Sequence, residues 1–356
     1  MPSFLKKKHF WGILVAAILL GYCLKDIHPH DVEELLFRVN FYFFIPAILI
    51  EFLMMIVRAL RWRTIVEKTK RIRILRIIPL YSAGQVLNIV LPALTGQVGR
   101  LLLFSKKENL SKTYVFSTIV IEILFDAISL LIFVLLLSMV SFVLPQQYRT
   151  ISYAIGIGTI ALFAILYLIL QFKDGIGRIG RRLMRGRWPG LYITLRKFSN
   201  SFTRGIGLLH SGPYFLRTLF LSLLAWAAHV MIIYCLFKSF GFELPIASAV
   251  VVMVINTLAL LIPITPGNAG TFELAVTASL MAFRIIKSDA VLFALALHIL
   301  DLIPIFLLGG FFFRTERLSL KEIEDEGEKE KFLNQMDDAE AVAGSNIKSS
   351  CSHEGD

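Results

Sequence analysis

Cysteine is scarce. Cys23, Cys235 and Cys351 are the three in 356 residues, widely separated and without a CxxC pair, which excludes a disulfide framework or a thiolate metal cage as the organising feature. Charge is sparse too: Asp, Glu, Lys and Arg make up 18% of the chain, where soluble domains carry about a quarter. No Walker loop, HExxH, nucleophile elbow or metal-ligand spacing occurs, so soluble-enzyme chemistry has no foothold, and neither metal nor cofactor is expected. What the chain has instead is apolar sequence, 56% of its residues with a mean hydropathy of +0.70, in runs of about 20 residues that read as membrane spans. The expected fold is all-α, a polytopic membrane helix bundle. The net charge of +11 sits beside the apolar runs rather than in a separate basic domain, so positive-inside orientation explains it better than nucleic-acid binding.

Two apolar stretches are interrupted in a way an ordinary spanning helix does not tolerate. Residues 81–100 contain Gly84, Pro92, Gly96 and Gly99 together with Gln85, Asn88, Gln97 and Arg100; residues 256–273 contain Pro263, Pro266, Gly267 and Gly270 with Asn268. Irregular backbone at membrane depth is allowed only where protein or a water-filled cavity surrounds it. A pair of broken segments in corresponding halves of a chain points to a transporter's binding site.

Around them six full spans are expected, at about 9–24, 41–60, 114–144, 150–172, 214–237 and 289–313. The first follows Lys6, Lys7 and Lys8, lacks an A-x-A-like cleavage site and runs into Lys25 and Asp26, so it is read as a retained helix rather than a signal peptide. Basic clusters after 58, in 173–210 and after 313 mark the cytoplasmic side, with both termini there; residues 25–40 and 238–246 are read as external loops. The first broken segment enters and leaves on the cytoplasmic side, either as a re-entrant hairpin or as two short spans. The halves, about 9–144 and 150–313, thus repeat one layout with opposite orientation, as an inverted-topology repeat does. Residues 1–317 form one integral membrane domain. Residues 318–356 form an acidic tail, expected to be a short helical extension that becomes disordered.

Ionisable groups inside spans cost about 2.5 to 3.5 kcal/mol each and normally face an interior and pair. The candidates are Glu51, Glu122, Asp126, His298 and Asp301, with Arg58, Arg61 and Arg100 at the ends of their segments. Glu122 and Asp126 share a helix face, as do Arg58 and Arg61. These groups form either a structural ion-pair network or a substrate site. Arginines at span ends commonly snorkel to headgroups, yet Arg100 lies beside broken backbone and guanidinium recognises phosphate bidentately, so it is favoured as a phosphate ligand over Arg58 and Arg61. His298 is either a satisfied buried histidine or, with Asp301, a proton relay. Glu273 is either a helix cap or a functional group. Gly267 and Gly270 form either a plain turn or part of a site.

RALRWR at 58–63, LNIVLPALTGQVGR at 87–100, IEILFD at 121–126 and PITPGNAGTFE at 263–273 together resemble the lysylphosphatidylglycerol synthase transmembrane-region family, also called flippase-like integral membrane proteins. The resemblance covers about 9–314. It implies a bacterial or archaeal cytoplasmic (inner) membrane protein. In relatives of this kind the module moves an aminoacylated phospholipid between leaflets while a separate soluble domain makes it; others are linked to polyprenyl- or dolichyl-linked glycan pathways. Gln97 stands where the family often has Glu, and Asn268 where it often has a second Gly. These departures point away from a mechanism needing a carboxylate at the first break and from a cationic aminoacyl lipid. No aminoacyltransferase domain is expected in this chain.

The expected function is lipid translocation. Arg58, Arg61 and Arg100 would hold an anionic or polyprenyl-phosphate-linked headgroup, Asn88 and Asn256 would offer amide hydrogen bonds, and Glu122, Asp126 and Glu273 would complete the substrate site. Two alternatives stand beside it: an integral-membrane transferase with Glu122 or Asp126 as general base, and a non-catalytic assembly partner that recruits an enzyme through 173–210.

Overall fold

The structure, a computed structural model, describes residues 3–140, 157 and 212–315, apart from 26, 68, 91–93 and 262–264. The expected span at 150–172, the basic region 173–210, the tail 318–356, Pro92 and Pro263 lie outside the described residues. Every described element is helical: α1 (Ser3–Leu24), α2 (Pro29–Arg38), α3 (Phe44–Val66, preceded by a 3-10 turn at Phe41–Phe43), α4 (Ile74–Val90), α5 (Leu94–Glu108), α6 (Lys112–Val140), α7 (Gly212–Ser239), α8 (Ile246–Ala259), a 3-10 turn at Pro266–Asn268, α9 (Thr271–Ala282) and α10 (Lys287–Thr315).

Helix length sorts these elements. At about 1.5 Å per residue a helix needs roughly 20 apolar residues to cross the hydrocarbon core. The segments containing α3, α6, α7 and α10 are long and apolar enough to do so. α4, α5, α8 and α9 have 17, 15, 14 and 12 residues and fall short singly. They pair as two hairpins, α4 with α5 and α8 with α9. The ends of the first hairpin are fastened together at one edge of the bundle: Glu108 at the end of α5 accepts from Arg76 Nε at 2.8 Å, and the Glu108 carbonyl accepts from Lys70 Nζ at 2.6 Å. A hairpin closed in this way returns to the face it left.

One difference from the sequence reading is α2, which forms where a loop was expected over 25–40. The segment PHDVEELLFR opens on proline, tolerated in a first turn, and places Val32 and Leu35 at i, i+3, with Leu35 buried. A short amphipathic helix on the edge of the bundle follows from that spacing.

α3 and α7 form the central pair and run antiparallel. At one end Asn40 N–H donates to the Ser239 carbonyl at 2.8 Å; at the other, Arg217 pairs with Glu67 at 3.3 Å. The first hairpin therefore starts where α3 ends and α7 begins, which is the basic end. The second starts at the opposite end, where Lys287 Nζ also holds the Lys25 carbonyl at 2.6 Å. The hairpins enter from opposite ends and their tips touch: a Cβ on Gly267 would lie 3.4 Å from Ile89 Cγ2. Phe237, Phe240, Phe242 and Phe293 stack together where α7 meets α10, with centroids 5.3 to 6.3 Å apart. Trp62 and Phe104, 4.1 Å apart, seat the first hairpin on α3.

Candidate functional site

Polar side chains from five helices meet at mid-bundle. Arg61 of α3 is buried and gives Nη2 to Glu122 Oε1 at 2.9 Å, while Nη1 and Nη2 both reach the Asp126 carboxylate, Nη2 to Oδ2 at 3.1 Å. This is the bidentate geometry in which guanidinium and carboxylate bind most strongly. Nη1 also approaches Ser222 Oγ of α7 at 3.2 Å. On the other side of Glu122, Arg100 of α5 and the Tyr81 hydroxyl of α4 both donate to its carboxylate. Trp226 of α7 donates from Nε1 to Asp126 at 3.0 Å. Arg100 lies over the rings of Tyr81 and Phe104, with Cζ 4.9 and 5.2 Å from the centroids. The i, i+4 carboxylates of α6 thus fasten the central helix pair to the first hairpin. Gly84 and Gly96 make room for this. A Cβ at Gly84 would press on Arg100 Cγ and Phe104, and one at Gly96 would lie 2.7 Å from Asn88 Cα.

A second knot closes the other hairpin. Glu273 Oε2 accepts from the Gly270 N–H at 2.6 Å, and Oε1 lies 2.7 Å from His298 Nδ1. His298 Nε2 is 3.1 Å from the Gly267 carbonyl, and its ring stacks on Phe272 with centroids 4.3 Å apart. The Gly267 carbonyl can only accept, so Nε2 is the donor in that contact. Gly267 and Gly270 have φ of +59° and +83°, the left-handed region that glycine adopts at least cost.

Between the two knots the accounting changes. Arg58, half-buried on α3, has neither ion-pair nor hydrogen-bond partner among the described residues, although Glu51, His229 and Asp301 lie within reach of its charge. Glu51 Oε2, both ring nitrogens of His229, Asp301 Oδ1, Asn256 Oδ1 and Asn88 Oδ1 are buried without a partner. Asp126 and Asp301 stand at the midpoints of α6 and α10. Groups so placed are ordinarily satisfied, by ordered water where protein supplies nothing.

The sequence candidates divide accordingly. Arg61, Arg100, Glu122 and Asp126 are brought into one network, and Glu273 and His298 into another. Arg58, Glu51, Asp301, Asn88 and Asn256 retain unpartnered groups. His298 spends both nitrogens on Glu273 and Gly267, so a direct hydrogen bond to Asp301 is not made. Glu273 is both the cap of α9 and the partner of His298. Gly84, Gly96 and Gly99 lie inside α4 and α5 and all three are buried, so they do not break the helices; Gly84 and Gly96 act as close-packing points. Pro266 and Gly267 do sit in the second break. Sequence reasoning did not single out Tyr81, Ser222, Trp226 or His229. The signal for the last two was their i, i+3 spacing on an otherwise apolar helix.

Helices able to span a bilayer, two opposed hairpins and a buried polar midsection define a polytopic α-helical membrane protein with a polar interior. The family described as lysylphosphatidylglycerol synthase TM region matches residues 9–309, and the chain belongs to it. A UPF0104 membrane protein of Pyrococcus horikoshii is 24% identical over 280 residues, 72% of this chain and 82% of that one. Another, from Methanocaldococcus jannaschii, is 26% identical over 245 residues, 67% of this chain and 98% of the relative. A third, from Methanothermobacter thermautotrophicus, is 21% identical over 277 residues, 73% of this chain and 81% of that one.

Proposed function

We propose that this protein is a translocase that moves a phospholipid or lipid-linked headgroup between leaflets of the cytoplasmic membrane. The headgroup occupies a hydrated chamber between the hairpin tips, its phosphate held by Arg58, while the acyl chains stay in the bilayer. One observation carries this reading: Arg58 is a half-buried guanidinium without an ion-pair partner among the described residues, within reach of Glu51, His229 and Asp301, whose buried polar atoms also lack partners, whereas Arg61 and Arg100 are already neutralised by carboxylates. An intramembrane charge without a protein partner is a functional-site hypothesis by default. The order of preference among the arginines accordingly reverses, with Arg58 as ligand and Arg61 and Arg100 as scaffold.

The opposed hairpins support an inverted repeat in which α3, the first hairpin and α6 correspond to α7, the second hairpin and α10. Rocking of one half against the other around a fixed midplane site would alternate access. Six spans with cytoplasmic termini remain the topology of this proposal, with membrane lipids as the partners. The transferase alternative is weakened because Glu122 and Asp126 are engaged by arginine, tyrosine and tryptophan donors, which leaves neither poised as a base.

The test is leaflet exchange of fluorescent phospholipids and polyprenyl phosphates in proteoliposomes. Protein should accelerate exchange of at least one phosphate-bearing lipid, and Arg58→Ala should reduce that rate at least tenfold while the protein stays folded. Equal rates in empty and protein-containing vesicles for every lipid would refute the proposal.

A further inference from the structure

A cavity of about 520 Å³ opens at the basic end of the bundle, away from the midsection, lined by Lys70, Arg71, Arg73, Leu75, Arg76 and Glu108 among others. We propose that it is a docking site for the phosphate-bearing headgroup of an anionic phospholipid, separate from the transported lipid's chamber. The volume is within the usual range for small-ligand sites, roughly 300 to 1,000 Å³.

The cavity is built around one anchored carboxylate. Glu108 has a side chain only 3% exposed and accepts from Lys70 Nζ at 3.0 Å and Arg76 Nε at 2.8 Å, whose own side chains are 40% and 49% exposed. Backbone carbonyls add to this: Lys70 donates to Glu108 O at 2.6 Å and Arg76 to Lys107 O at 3.2 Å. Lys70 and Arg76 are thereby fixed in position yet keep outward donors, because an ammonium has three and a guanidinium five. Arg71 and Arg73 have no ion-pair or hydrogen-bond partner for their guanidiniums among the described residues. Four cationic side chains face the single carboxylate of Glu108, so three positive charges are in excess. That surplus, presented by arginine forks, suits a phosphate.

Lipid is favoured over free phosphate by the apolar rim. Leu75 is 89% exposed and Ile74 48% exposed at the start of α4, next to the cations. A soluble anion has no use for them, whereas a glycerophospholipid covers them with its glycerol and upper acyl carbons. Basic clusters beside spanning helices attract anionic headgroups in this way.

The experiment uses the full chain in neutral detergent, with bound lipid counted by native mass spectrometry while dioctanoyl phosphatidylglycerol is titrated. Phosphatidylcholine of the same chain length is the control lipid, and inorganic phosphate and glycerol 3-phosphate are the soluble competitors. Arg71→Ala with Arg73→Ala should weaken phosphatidylglycerol binding about thirtyfold. Leu75→Asn should weaken lipid binding severalfold without affecting glycerol 3-phosphate, and phosphatidylcholine should bind far less. In an Arg58→Ala background, where the chamber has lost its phosphate ligand, the Arg71→Ala, Arg73→Ala change should remove phosphatidylglycerol binding to the same extent, so the result is independent of the transport proposal. Both exposed-residue variants should keep the wild-type melting transition, which separates lost binding from lost fold. Unchanged affinity in the double variant overturns the proposal. Full displacement by inorganic phosphate together with an inert Leu75→Asn also overturns it, by making the cavity a soluble-anion site.

Discussion

Glu122→Gln should be the most damaging conservative change in the polar midsection. The carboxylate is 5% exposed and receives Arg61, Arg100 and Tyr81. Neutralising it leaves Arg61 with Asp126, but Arg100 has no second carboxylate within ion-pair distance among the described residues. One guanidinium is then buried without a counter-charge, and the new amide presents an N–H₂ group to a shell made of donors. Removing one partner of a buried pair costs about 3 to 5 kcal/mol, a factor of roughly a hundred to several thousand in the folding equilibrium. Asp126→Asn provides an internal comparison. Its side chain is 35% exposed, so water screens the loss and the cost should be only about 1 kcal/mol. The assay is reversible unfolding of purified protein in mixed micelles with increasing sodium dodecyl sulfate, followed by circular dichroism. Glu122→Gln paired with Arg100→Gln should show a coupling energy of about 1 to 3 kcal/mol, because the double variant strands no charge at Arg100. If Glu122→Gln unfolds within about 1 kcal/mol of wild type, or Asp126→Asn costs more than Glu122→Gln, the hub assignment is wrong.

Other consequences follow from the same geometry. Gly96→Val should destabilise the first hairpin by about 1 to 3 kcal/mol, seen as a lower melting temperature, because a Cβ there lies 2.7 Å from Asn88 Cα. Glu273→Gln removes the carboxylate that caps α9 and faces His298, and should lower the melting temperature and expose the second hairpin turn to faster hydrogen exchange. Its partners at Gly270 and His298 lie at 2.6 and 2.7 Å. In leaflet-exchange measurements Arg58→Lys should retain more activity than Arg58→Ala. Arg100→Ala should fail first by losing folded protein, a contrast that fluorescence-detected size-exclusion chromatography resolves.

The two broken segments were legible in the sequence because proline, glycine and amide residues inside apolar runs conflict with a spanning helix. Their geometry was not. Charge counting placed both ends of residues 81–100 on one side, but hydropathy contains no tertiary contact such as the one that brings Ile89 at the end of α4 against Gly267 of the second hairpin. Gly84, Gly96 and Gly99 read as breaks because glycine in a helix usually weakens it; Gly84 and Gly96 instead let α4 and α5 approach closely. The i, i+4 spacing of Glu122 and Asp126 and the i, i+3 spacing of Arg58 and Arg61 identified the polar midsection. Spacing could not divide the two arginines, since a rotation of about 300° between i and i+3 leaves one on the carboxylates and the other off them. Tyr81, Trp226 and His229 escaped notice because hydropathy counts the first two as membrane-compatible and a single histidine on an apolar helix carries little signal. The expected span at 150–172 lies outside the described residues, so the pairing of halves rests on α3 to α6 and α7 to α10.

Water access to the groups around Arg58 is the most direct test. In a chain with Cys23, Cys235 and Cys351 replaced by alanine, His229→Cys should react with a small, charged, membrane-impermeant thiol reagent, and a phosphate-bearing lipid that is transported should slow the reaction. Leu136→Cys, at a position 52% exposed on the apolar helix α6, should stay unreactive under the same conditions. A cysteine at 229 as inert as the one at 136, with or without lipid, would mean that no hydrated chamber exists between the hairpin tips, and the translocation mechanism built on Arg58 would be wrong.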